Sequence, residues 1–415
     1  MSERETTTLQ TRCCIVGGGP AGIMLALLLA RAGVAVTVLE KHGDFLRDFR
    51  GDTVHPSTLA IIDELGLRQP FDKLPQHRVT QLSGIVGGRV QQLIDFRGLQ
   101  PYAYLALVPQ WDFLDMLVAE ARRYPTFDLR MWHKATGLIE ENGRVAGVQV
   151  DSPDGPLQIR ADLVVACDGR HSTLRDASGL QAMEFGAPMD VLWFRMPQAE
   201  GDPADALGII DHGHMMVLLN RTTYWQVAFL VPKGQDATLR AQPVDVLQDA
   251  VVQLAPFFAE RKSAIDSWDR VSTLAVQVDR LPRWHRPGML LIGDAAHAMS
   301  PIGGVGINLA IQDAVAAANA LAAPLRADGA IAETLLARIQ RRREWPVRVV
   351  QHVQLFAQDR MIKRVLSTAG ERPHVPAFLR WLLRFRVVRQ IPARLFGYGI
   401  RQEHVRVGPH DPAAG

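Results

Sequence analysis

A short apolar run, Cys13 to Val16, feeds directly into Gly17-Gly18-Gly19-Pro20-Ala21-Gly22, and an apolar stretch of helical character follows to Ala32. A second strand-like run, Val34 to Leu39, closes at Glu40, eighteen residues past Gly22. Strand, glycine turn, helix, strand and terminal acid in this order admit few folds: together they form the opening unit of a doubly wound parallel sheet. Each part has a physical task. Gly17 makes the tight turn out of the strand, Gly19 lets backbone approach a diphosphate, and Gly22 allows helix and strand to pack closely. A helix starting near Pro20 points the positive end of its dipole at the phosphates. Glu40 stands where a carboxylate accepts hydrogen bonds from a ribose diol. Pro20, Ala21 and Lys41 flank these positions and join the candidate nucleotide-binding set.

At 415 residues the chain is long enough for roughly two to three domain-sized units, or two interleaved ones. A net charge of +3 is too small to point to nucleic acid. The three cysteines, Cys13, Cys14 and Cys167, supply no disulfide framework and suit buried thiols in a reducing compartment. Met1 to Thr11 lacks the apolar core of a signal peptide, and no apolar run approaches the ~18–20 residues a membrane span needs. The cytoplasm is the expected setting.

Two later segments repeat the theme of a buried strand delivering an acid and a glycine to a turn. In the first, Leu163 to Cys167 leads into Asp168-Gly169, with Ser172 and Arg175 beyond. In the second, Met289 to Ile292 leads into Gly293-Asp294 and His297. It continues through Ser300-Pro301-Ile302-Gly303-Gly304-Val305-Gly306-Ile307-Asn308 to Asp313. The glycine-rich loop opens a long helix whose first N–H groups have no partner within the helix.

In this order and spacing the three segments resemble the para-hydroxybenzoate hydroxylase-like, single-component flavoprotein monooxygenases, over residues 12 to about 325. The resemblance implies an α/β fold: a Rossmann-like FAD-binding domain of the glutathione-reductase type, an interleaved β-sheet substrate domain, and C-terminal helices. Residues 1–75, 107–182 and 280–330 would form the FAD-binding domain. Residues 76–106 and 183–279 would form the β-rich substrate domain, and 331–415 the helical region. It further implies that Gly17, Gly19, Gly22 and Glu40 hold adenosine and diphosphate, that Arg50 and Gln110 contact FAD, and that Asp168 and Asp294 are the motif carboxylates. Pro301, Gly304, Gly306, Ile307 and Asn308 would lie beside the flavin, with backbone N–H groups facing the part of the ring that gains negative charge on reduction. One position departs from the family pattern: a Gly-Gln-Gly loop is usual, and here Gly304-Val305-Gly306 lacks the amide.

In such enzymes NAD(P)H reduces a tightly but non-covalently held FAD, O2 adds at C4a, and the hydroperoxide oxygenates an aromatic or other electron-rich small molecule. No second glycine fingerprint is present, in keeping with a nicotinamide that binds transiently. Candidates for the substrate pocket are His55, His214, Arg221, Tyr224 and Trp225, with His212 beside them. Each has a structural alternative: His212 and His214 flank Gly213 in a turn, Tyr224 and Trp225 suit a sheet core, and His55 precedes Pro56 at a helix start. No catalytic base and no metal site can be assigned. Two other activities remain open on the same scaffold, a flavin-dependent reductase of an isoprenoid-type substrate and a non-catalytic flavin-binding redox protein. A halogenase is disfavoured, because Tyr224-Trp225-Gln226-Val227-Ala228 does not match the Trp-x-Trp-x-Ile motif. Between 372 and 406 eight arginines oppose one acid, Glu403. The reading preferred from sequence is a solvated basic face on helices packed by their apolar side; the alternative is contact with a membrane.

Overall fold

The computed structural model describes residues 7–46, 53–203, 207–221, 223–327, 329–362, 365, 377–382 and 384–410. Its first sheet is eight-stranded. Strands Met289–Leu291, Gly155–Ala166, Thr7–Val16, Val36–Leu39 and Phe127–Arg130 lie side by side and parallel, so all their C-terminal ends open on one edge. Parallel strands are covered on both faces and read as continuous apolar runs. Cys13 and Ile15 accordingly pack into one core with helices Pro20–Arg31 and Gly306–Arg326, while Cys14 and Val16 pack into another on the opposite face. The alanines of the second helix (Ala310, Ala314, Ala317, Ala318) are fully or nearly buried, and small side chains let it lie close to its neighbours. Burial pushes the Cys14 thiol up to about 12, which makes it an inert packing group.

Strands Lys134–Glu141 and Arg144–Ser152 extend this sheet as an antiparallel hairpin. Their turn is Asn142-Gly143, both at positive φ (51° and 75°), the conformation that favours Asn-Gly in two-residue turns.

The second sheet has seven strands in the order Ser272–Leu274, Met189–Pro197, Tyr224–Pro232, His214–Asn220, Leu207–Asp211, Gln81–Val86 and Arg89–Asp95. Only the Leu207–Asp211 to Gln81–Val86 pairing is parallel, and it joins two distant stretches of chain into one surface. Alternation along the strands gives the sheet two apolar faces. Met216, Leu218, Trp225, Val227 and Phe229 turn toward helix Asp245–Leu254. Val191, Met215, Val217, Ala228 and Leu230 turn the other way, toward Ile302 of the glycine-rich loop and Leu355.

The α/β architecture with a parallel nucleotide-type sheet, a second β-sheet and C-terminal helices is as the sequence implies. Helices Glu333–Ala357, Ala377–Leu382 and Arg386–Gly397 complete the C-terminal part. Segment Ile302–Arg326 is the one helical stretch among the described residues long and apolar enough to cross a membrane, and 78% of its most apolar 18-residue window is buried as core.

Candidate active site

The site lies where the parallel strands end. Gly17 leaves the first strand at φ 106°, and a Cβ there would stand 2.4 Å from the Cys167 carbonyl oxygen. Gly22 is as confined: its Cβ would meet the Gly17 carbonyl at 2.0 Å. Gly19 differs, since a Cβ would find nothing within 4 Å. It caps helix Pro20–Arg31 with extended backbone, no side-chain cap and no acid in the first turn. Two glycines are therefore fixed by neighbouring backbone, while the third keeps open space in front of a helix N-terminus. A row of N–H donors with a positive dipole and no competing carboxylate fits a diphosphate.

Glu40 follows the second strand and is buried. Its carboxylate accepts from the Gly18 amide (2.9 Å) and the His42 amide (3.1 Å), tying the glycine turn to the strand end. Lys41 beside it is exposed.

The two later motifs reach the same edge by their strands. Asp168 turns its carboxylate onto the start of helix Thr173–Ala177, accepting from the Ser172 hydroxyl and from the Leu174 amide. Burial raises its pKa, against the pull of those bonds. It holds the turn, and Gly169, at φ 85°, leaves open space beside it. Gly293, at φ 61°, sits so close to Ala21 and Ala310 that a Cβ would approach them at 3.2 and 3.4 Å. The Gly-Asp turn is thus wedged between both helix starts. Asp294 is paired with Arg170 (3.2 Å), whose Nη2 also donates to the Met299 carbonyl. Arg170 Nη1 is a buried donor without a partner among the described residues, an atom that an anionic group would satisfy. Arg170 was not singled out from sequence; its place directly after Asp168-Gly169 was the available signal.

A fully buried charge cluster anchors this turn from below. Asp313 accepts from the Gly293 amide (3.2 Å), contacts His297 Nε2 (2.6 Å) and accepts from Arg343 Nε (2.9 Å). Burial works against ionisation of Asp313, yet His297 and Arg343 hold its carboxyl below the usual range. Arg343 also reaches Glu403, which Arg342 binds at 2.7 Å. His297 is therefore a structural group, stacked against Trp284 with ring centroids 4.8 Å apart.

The glycine-rich loop begins at Pro301 and leads into helix Gly306–Arg326, which again lacks a side-chain cap. Gly303 and Gly304 adopt φ of 77° and 60°; Cβ atoms there would strike Phe396 and Thr53. Ile307 is buried. The Asn308 amide accepts from His55 N (2.9 Å) and Thr58 Oγ1 (2.7 Å) and donates to the carbonyls of Thr53 and Gly304. Its side chain stitches the 53–58 segment to the loop and leaves the helix-start N–H groups to face outward. Gln110 opens helix Gln110–Ala121 and is partly buried. Arg50 lies outside the described residues.

The pocket candidates divide. His55 caps helix Pro56–Glu64 and is fully buried, with Nδ1 against the Phe396 carbonyl at 2.6 Å. Burial lowers its pKa to about 4, outweighing that carbonyl; it is a neutral helix-start residue beside the loop. Trp225 is buried in the outer core and donates to Asp202 (2.8 Å). His214 packs on Phe229 in the same outer layer, with centroids 5.5 Å apart; burial, then His212, lowers its pKa. His212 sits in the turn at φ 49°. None of these lies on the inner face, the side of the sheet turned toward Ile302. Tyr224, stacked under Arg195 (4.9 Å), shares strand parity with the inner-face residues, and Arg221 donates to Gln226 (2.9 Å) at that end. The inner-face residues Trp193, Met215 and Val217 went unremarked as site candidates in the sequence. Apolar residues at consecutive positions gave no sign of which would turn inward.

A family model described as FAD binding domain matches residues 10–353, most of the chain. The chain belongs to this FAD binding domain family. It is 33% identical over 369 residues to 6-methylpretetramide 4-monooxygenase of Streptomyces rimosus, covering 88% of this chain and 87% of that one. It is 26% identical to para-nitrophenol 4-monooxygenase of a Pseudomonas species, covering 77% and 80%. The solved p-nitrophenol 4-monooxygenase PnpA of Pseudomonas putida superposes with a TM-score of 0.74 at 22% identity, covering 94% and 96%, and shows the shared fold. This member of the family is an FAD-dependent monooxygenase of the para-hydroxybenzoate hydroxylase-like type, using a small-molecule substrate, O2 and a reduced nicotinamide.

Proposed function

We propose that this monooxygenase hydroxylates an aromatic or similarly electron-rich, largely apolar small molecule, with NADH or NADPH as the transient reductant. The observation that carries the reading is the meeting of three strand-end motifs and two uncapped helix starts beneath an apolar inner sheet face. Bound there, FAD would supply the redox and oxygen chemistry that links a reduced nicotinamide to O2.

In this reading residues 1–75, 107–182 and 280–330 are the FAD-binding unit, 76–106 and 183–279 supply the substrate sheet, and 331–415 brace both. Gly17, Gly19, Pro20, Ala21 and Gly22 present the diphosphate cradle, and Glu40 and Lys41 bracket the ribose. Gln110 and Arg50 complete the cofactor set. Asp168 holds its turn in shape through Ser172 and Leu174, while Asp294 and Arg170 face the cofactor from the adjoining strand end. Pro301 and Gly304 shape the loop, and the N–H groups of Gly306, Ile307 and Asn308 stabilise negative charge on the reduced ring. Met215, Val217 and Leu219 exclude water and hold the substrate by shape, with Tyr224 and Arg221 at one end to orient a polar group.

The test is anaerobic reduction of the holoenzyme by NADH and by NADPH across a panel of phenols and fused aromatics, followed by mixing with oxygen. The reading expects one class of compound to accelerate reduction and to leave as a hydroxylated product. Reduction that no compound influences, with oxygen returned only as peroxide, would overturn it.

A further inference from the structure

We propose that helices Ala377–Leu382 and Arg386–Gly397 dock this enzyme on a membrane surface bearing anionic headgroups. Phe378, Trp381 and Phe385 are 70%, 52% and 48% exposed. Phe378 stacks on Trp381 with ring centroids 6.3 Å apart, and Phe385 meets Trp381 edge-on at 5.0 Å. The apolar strip continues onto helix Arg386–Gly397 through Val387 and Ile391, 70% and 64% exposed.

This outward face belongs to a helix that is nonetheless seated. Ala393 is fully buried. A Cβ at Gly397 would stand 3.0 Å from Leu99, and Arg389 donates to Gln92 (2.7 Å) on the neighbouring strand. Amphipathic helices normally turn their apolar side inward; here valine, isoleucine and three aromatic rings are left facing solvent. A contiguous apolar patch of this kind marks an interaction surface.

The charge pattern chooses the occupant. Between residues 373 and 402 the sequence holds six arginines and no acid. Arg384 and Arg394 are exposed beside the aromatic strip. A second copy meeting this patch about a two-fold axis would set arginines against arginines. An anionic bilayer instead takes the rings into its headgroup boundary while guanidinium groups reach the phosphates.

The test is co-sedimentation of the full-length holoprotein with vesicles of phosphatidylcholine alone and of phosphatidylcholine with about a third phosphatidylglycerol. Partitioning onto the anionic vesicles is expected to be at least roughly tenfold stronger and to fall as salt rises. Each arginine near such a surface contributes about fivefold, so Arg384→Gln with Arg394→Gln should weaken partitioning roughly 25-fold. The triple variant Phe378→Ser, Trp381→Ser, Phe385→Ser should abolish it while keeping the wild-type flavin content and melting temperature. Equal partitioning onto both vesicle types, or none onto either, would overturn the proposal. So would a dimer seen by light scattering that the triple variant dissociates, because a second copy would then cover the patch.

Discussion

Substituting Gly19 by alanine separates a glycine kept for a ligand from one kept for the fold. At Gly19 a Cβ meets no protein atom within 4 Å, and φ −76°, ψ −176° suits any residue. Two effects on the apoprotein oppose each other. Alanine caps a helix less well than glycine, which costs roughly 0.5–1 kcal/mol. Alanine also narrows the unfolded ensemble, which stabilises by about 0.4–1 kcal/mol. The apoprotein should therefore unfold within about 0.5 kcal/mol of wild type. A diphosphate lying in front of the helix would meet the new methyl, and overpacking of that kind costs about 1–3 kcal/mol. FAD affinity should then fall roughly 5- to 150-fold. Gly22→Ala is the control, because its Cβ would overlap the Gly17 carbonyl at 2.0 Å and should destabilise the apoprotein itself. Chemical unfolding of apoprotein and a fluorescence titration with FAD give the two numbers. A Gly19→Ala variant that binds FAD like wild type, or loses stability without FAD, would refute the reasoning.

Other consequences are as specific. Arg343→Met leaves Asp313 and Glu403 short of a buried cation and should cost about 3–5 kcal/mol in urea unfolding; a loss below about 1 kcal/mol would show the cluster to be dispensable. His55 carries a pKa lowered from 6.5 to about 4, so the unfolded chain takes up its proton first as pH falls. Its contribution is complete above pH 6.5 and should decline by about 3 kcal/mol as pH drops toward 4. His55→Gln should flatten that part of a stability–pH series, and an unchanged slope would contradict the assignment. Met215→Ala enlarges the apolar inner face and should raise KM for the best substrate several-fold at unchanged FAD content; reduced FAD binding would place Met215 at the cofactor instead.

The strand-turn-helix unit was legible because its residues answer to local geometry: Gly17 and Gly22 have no room for a side chain, and Asn142-Gly143 dictates its own turn. The outer placement of His214 and Trp225 was not. Met215, Met216, Val217, Leu218 and Leu219 are all apolar because both faces of that sheet are covered, and with period-2 geometry a single step reverses which residues face the site. The Asp313 cluster was equally hidden. Asp313, Arg343 and Glu403 are far apart in sequence, and buried ion pairs follow from tertiary packing that no local pattern encodes. At the C-terminal helix the pattern showed amphipathicity, whereas the structure sets Val387 and Ile391 outward.

The most direct test of hydroxylation is turnover under isotopically labelled O2 with the compound that best accelerates flavin reduction, followed by mass spectrometry of the product. The account predicts that product gains one labelled oxygen and that NAD(P)H consumption matches product formed. Product without label, or labelled oxygen recovered entirely as peroxide, would contradict it.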